Sequence, residues 1–106
     1  MHILYNVTVN IDLEVEENWL LWMRDTHIPD VMSTGHFLDA RLCKVLAEDV
    51  GGTTYSIQYL AKDMMAYKLY IHQDAPRLQK DHTERFDGKF VAFRTVLEVD
   101  SIHGTR

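Results

Sequence analysis

Six histidines, five tyrosines and two tryptophans give this 106-residue chain most of its chemistry, and their spacing decides which of them can act together. Trp19, Trp22, Met23 and Thr26 recur at intervals of three and four, the mark of a helix with one side turned to a core. His27 falls at the edge of that side, two residues before Pro29. Proline disfavours helix at the residue before it, so the regular helix is expected to end or kink at Ile28. That places an imidazole near a helix C-terminus, at the rim of an apolar stripe. Such an imidazole takes a proton from a phenol or enol, or polarises a carbonyl, if phenols and a cation share its cavity. Tyr5, Tyr59 and Tyr67 would supply the phenols and Arg41 the guanidinium, with Asp39 close by. His27 is therefore the candidate catalytic residue. Tyr5, Trp19, Trp22, Arg41 and Tyr59 are the candidate ligand-binding residues.

Each has a plainer role. A histidine at a helix end more often caps carbonyls and meets the negative end of the dipole than binds a ligand. Tyrosines and tryptophans on buried faces need no ligand to explain them. Arg41, Gln58 and Arg94 interrupt strand-like runs and could reach an anion, but pairing with Asp39, Glu98 or Glu48 across strands is the commoner arrangement. If Asp39, Arg41 and Cys43 face the helices they line a cavity; if Leu38, Ala40 and Leu42 do, they do not, and the pattern leaves that register open. His82, between Leu78 and Phe86, reads as a partly buried, hydrogen-bonded histidine. In two antiparallel helices His27 and His82 should stand at opposite ends of the layer, which argues against one site built from both. No HxH or HExxH spacing occurs, so no metal site is implied, and no cofactor is implied either. Cys43 has no neighbouring base to activate it.

The elements that must hold these residues are readable from periodicity. Residues 2–11 alternate as a half-buried strand, with Ile3, Tyr5, Val7, Val9 and Ile11 on one face. Asp12 is placed to cap the first helix, with Glu14, Glu16 and Glu17 near its positive end. A short helical piece from Asp30 to Thr34 ends at Gly35. A second strand is expected over residues 37–48, a turn at Asp49-Val50-Gly51-Gly52, and a third strand over residues 53–61. Asp63 opens a long helix whose inner face is Tyr67, Ile71, Ala75, Leu78, His82 and Phe86. Pro76 should kink it, with Asp74 capping the second half. Residues 90–99 form the fourth strand, with Val91, Phe93, Thr95, Leu97 and Val99 on one face.

Strand-helix-strand thus occurs twice, and right-handed crossovers give a ferredoxin-like α+β sandwich: an antiparallel sheet in order 4-1-3-2 with both helices on one face. The other face carries too many apolar residues to stay wet, so two sheets are expected to face each other in a homodimer. The whole chain is one domain. A net charge of -5 argues against nucleic acid as a partner, since phosphate binding needs clustered cations. A lone cysteine, the absence of a leader pattern and the absence of a 20-residue apolar run suggest a cytoplasmic protein that does not cross a membrane.

Several blocks of residues carry a resemblance: Tyr5 to Asn10, Trp19 to Met23, His27-Ile28-Pro29, Asp39-Ala40-Arg41, Tyr55 to Tyr59, Ala75-Pro76 and Lys89 to Thr95. Together they resemble a family of small bacterial proteins catalogued as a domain of unknown function (DUF4286), over nearly the whole chain. More distantly, the architecture resembles the dimeric α/β-barrel superfamily, which includes cofactor-independent monooxygenases of antibiotic synthesis, small isomerases and stress-response proteins. The resemblance implies a fold and a homodimer. It implies no catalytic set, because the superfamily's enzymes share none. Two functions of different kind follow: a pocket for a small aromatic or enolic molecule between helices and sheet, with cofactor-independent proton transfer or oxygenation conceivable, or a non-catalytic dimeric module that binds another protein. A deep cavity lined by the candidate residues favours the first; one filled by the tryptophans favours the second.

Overall fold

A computed structural model describes residues 1–47 and 51–104. Its strands are β1 (Ile3–Ile11), β2 (Phe37–Lys44), β3 (Thr53–Ala61) and β4 (Phe90–Glu98). Between β1 and β2 come a short 3-10 turn (Leu13–Val15), α1 (Glu16–Trp22), a π turn (Met23–His27) and α2 (Ile28–Ser33). Between β3 and β4 come α3 (Met64–Gln73) and α4 (Ala75–Arg85). The sheet runs β2-β3-β1-β4 with every neighbouring pair antiparallel, which is the ferredoxin-like order. The second strand, expected over residues 37–48, stops at Lys44, and residues 45–47 are not strand; Glu48 and the Asp49-Val50 half of the expected turn lie outside the described residues.

Alternation in β1 and β3 sends Ile3, Tyr5, Val9, Tyr55, Ile57, Tyr59 and Ala61 to the helix side, where they are buried. Trp19, Met23, Val31, Tyr70, Ala75, Leu78 and Phe86 descend on them from the helices and complete the core. Gly52 opens β3 at φ +80°, and a Cβ there would stand 2.7 Å from the Ile11 carbonyl oxygen, so only glycine fits against the end of β1.

The helix ends depart from expectation. Asp12 makes no side-chain cap bond. Glu16 instead pins α1 to the sheet, accepting from the Tyr55 hydroxyl at 2.5 Å and the Thr53 hydroxyl at 2.8 Å. Those bonds hold the Glu16 carboxyl below its ordinary range, and burial, with the carboxylate beside it, pushes Tyr55 up to about 12. Asp63 does cap α3, accepting from the Ala66 amide. The second long helix breaks at Asp74 as Pro76 requires, but Asp74 spends its carboxylate on His36 (3.0 Å) and Arg77 (2.9 Å) rather than on a cap. The break resets the helix phase, so Tyr70 is buried where Tyr67 and Ile71 are only half-buried.

Candidate functional site

Pro29 does not end the first helix. Ile28 keeps right-handed helical angles (φ -62°, ψ -45°) and the chain stays helical to Ser33. Proline lacks the amide that would bond the carbonyl four residues back, and its ring crowds that carbonyl. The chain adapts by widening one turn: the Ile28 amide donates to the Met23 carbonyl, five residues back. His27 lies inside this π turn, in mid-helix. This corrects the expectation that it caps a helix end.

The second correction follows from the first. Because the helix continues past His27, that residue lies along its middle, where α4 crosses it. His27 and His82 are therefore neighbours, with ring centroids 5.7 Å apart, and not at opposite ends of the layer. Both face one cavity. Its floor is Tyr5, Val7, Val9, Ile57 and Tyr59 of the two central strands, with Phe90, Ala92 and Arg94 of β4 at one side. The roof is Met23, His27, Tyr70, Gln79 and His82. The inner slot measures about 40 Å³, several times the ~10–15 Å³ that one water needs. Counting the open mouth, the empty space is about 450 Å³.

The candidate residues divide accordingly. Tyr5, His27 and Tyr59 line the cavity. The tryptophans do not; they stand behind the histidines. Trp22 stacks on His27 at 4.9 Å and 26°. Trp19 is 0% exposed and its indole Nε1–H donates to His82 Nε2 at 2.9 Å. Arg41 is on the far side of the sheet. Leu38 is an extra residue between Phe37 and Asp39, so the parity of β2 flips: Phe37, Ala40 and Leu42 face the core while Arg41, opposite Gln58, faces away. Neither Arg41 nor Arg94 forms an ion pair among the described residues; Glu48, one expected partner, lies outside them.

Tyr70 and Gln79 are lining residues that periodicity does not identify, while His82, expected on the inner helix face, and Arg94, weighed as an anion partner, are visible in the sequence but not assigned there to the site. Arg94 sits opposite Val7 of β1, and that register turns it inward. Gln79 was detectable, since it precedes His82 by three on a helix and so shares its face.

Electrically the cavity is neutral apart from the Arg94 guanidinium. Burial lowers both His27 and His82 to about 4. Asp30 and Asp81 oppose the fall at His27, while His27 and Arg94 deepen it at His82. Burial raises Tyr5, Tyr59 and Tyr70, and Arg94 holds Tyr5 back. At neutral pH the walls thus offer uncharged imidazoles and intact phenols beside one cation. A neutral imidazole is free to accept a proton. The anion left behind would meet Arg94, and its charge would offset the desolvation that makes the imidazolium costly. No helix among the described residues is long and apolar enough to cross a membrane.

The family model described as domain of unknown function (DUF4286) matches residues 2–100, so the chain belongs to that family. No curated protein sequence matches it. Solved structures with the same fold include an ethd-like protein from Ralstonia eutropha (TM-score 0.71, 11% identity, 99% of this chain and 97% of that one). HapK from Hahella chejuensis follows at 0.68, with 8% identity over all of both chains. SnoaB, a cofactor-independent oxygenase from Streptomyces nogalater, matches at 0.66, with 12% identity over 95% of each. At such identities the likeness is one of fold alone.

Proposed function

We propose that this DUF4286 protein is a homodimer that binds a small planar enol or phenol in the helix-sheet cavity, with His27 as the proton acceptor and Arg94 facing the resulting anion. The observation that carries the reading is the meeting of two neutral imidazoles and one guanidinium around an otherwise apolar and phenolic cavity. Tyr5 and Tyr59 would hold the ring of the ligand. A cofactor-independent reaction suits such walls, and SnoaB lends the same fold to a cofactor-independent oxygenase. The tryptophans leave the cavity unfilled, which favours a ligand over a purely structural module.

The homodimer rests on the outer sheet face. Val91 and Phe93 are 70% and 63% exposed there, and Leu97 adds to them beside Leu4. A second copy facing this sheet would cover them. The single cysteine, exposed and unpaired, suits a reducing compartment such as the cytoplasm.

Titration with para-nitrophenol and other planar phenols, followed by tryptophan fluorescence, tests the cavity. His27→Gln should weaken binding about tenfold, or roughly 1.4 kcal/mol, with the melting temperature nearly unchanged. A loss of several kcal/mol of stability in that variant, with no phenol bound by either protein, would make His27 a packing residue.

A further inference from the structure

The hydrogen bond behind His82 says which proton it carries. An indole N–H only donates, so the Nε2 that receives it from Trp19 must be unprotonated. A neutral imidazole with a bare Nε2 holds its proton on Nδ1. Nδ1 has no partner among the hydrogen bonds of the described residues, yet among those residues no buried side-chain nitrogen or oxygen is left unpartnered. It therefore reaches open space, and His82 lines the cavity.

We infer that Trp19 is a positioning residue that locks His82 as an Nδ1–H donor, so that this wall of the cavity takes a hydrogen-bond acceptor, a carbonyl or enolate oxygen. The inference deepens the proposed binding function and rests on it for the ligand. The two histidines then divide the work: His27 accepts the proton, and His82 donates a hydrogen bond to the oxygen that Arg94 also faces. Trp19 touches no ligand and acts only through the imidazole. The lock sits in the dry core, where exchanging it for water is costly, since Trp19 is fully buried and its ring packs 5.0 Å from Tyr55.

Long-range proton-nitrogen NMR of the uniformly labelled protein at neutral pH reads the tautomer directly. His82 should show a protonated Nδ1 and a bare Nε2, and Trp19→Phe should release it to a mixture. A protonated Nε2 or a doubly protonated ring in the unaltered protein would overturn the inference, whether or not Trp19→Phe folds. A second arm uses amide isosteres with para-nitrophenolate as the probe. His82→Asn, whose amide nitrogen overlays Nδ1, should bind within about threefold of the parent, and His82→Gln should lose about tenfold. The reverse order would overturn the donor role. If nothing binds the probe, the proposed function falls, while the tautomer still decides the part played by Trp19.

Discussion

The two faces of this sheet are built by alternate residues of the same four strands, and they have been put to different uses. On the helix side, Tyr5 and Tyr59 lie with ring centroids 6.0 Å apart, Phe37 and Tyr70 close around them, and two imidazoles, His82 buried and His27 half-buried, line the same cavity. On the far side the central strands carry a polar ladder: Ser56 donates to Asn6, Asn6 to Thr8, and Asn10 to Thr54. The apolar residues of that side are pushed to β4 and to Leu4 and Leu60 at one end. Ionisable groups with displaced proton affinities gather under the helices. On the outer face Asp39, Arg41 and Cys43 are exposed to water. Desolvation is what separates the faces, and the face with more displaced groups is the one to suspect of chemistry.

The largest break in that comparison should come from acid. His27 and His82 titrate near 4 in the folded protein against an ordinary 6.5, so the unfolded chain binds protons first as pH falls. Stability is then fully present above about pH 6.5 and is lost between about 6.5 and 4, by roughly 2–3 kcal/mol for each imidazole. Urea unfolding across that interval checks it. A flat profile would mean the pair is not desolvated, and His82→Asn should remove part of the slope.

A smaller and separate effect is expected on the outer face. Phe93→Asp puts a carboxylate into the surface proposed to meet a second copy, so light scattering should show a shift from dimer to monomer of tenfold or more in dissociation constant, about 1.4 kcal/mol. Phenol binding should survive, because the cavity lies on the other side. A dimer unmoved by this change would place the contact elsewhere. Arg41→Ala should do least: within about 0.5 kcal/mol of the parent in stability, and no change in phenol binding. A marked loss of binding would return Arg41 to the site.

The fold was legible because its signals are local and repeated. Strand alternation in β1 and β3, the break before Pro76 and the doubled strand-helix-strand order each survive in the structure. The site was legible only in part, and the failures have causes. Arg41 depended on the parity of β2, which one extra residue at Leu38 reverses, and a bulge leaves no pattern to count. The separation of His27 from His82 depended on a helix ending before Pro29. A π turn absorbs that proline instead, and its five-residue step moves His27 off the 3.6-residue spacing by which it was placed. Arg94 needed the pairing of β4 with β1, a contact between distant residues. Tyr70 needed the change of phase at Asp74.

The central claim is that a neutral imidazole in this cavity takes a proton from a bound phenol or enol. Para-nitrophenol reports that step by colour, because its anion absorbs in the visible and its neutral form does not. Bound to the unaltered protein, it should be more ionised than in buffer of the same pH, and His27→Gln should return it to the neutral form. A dye that binds as the neutral phenol, or one whose colour ignores His27, would contradict the account.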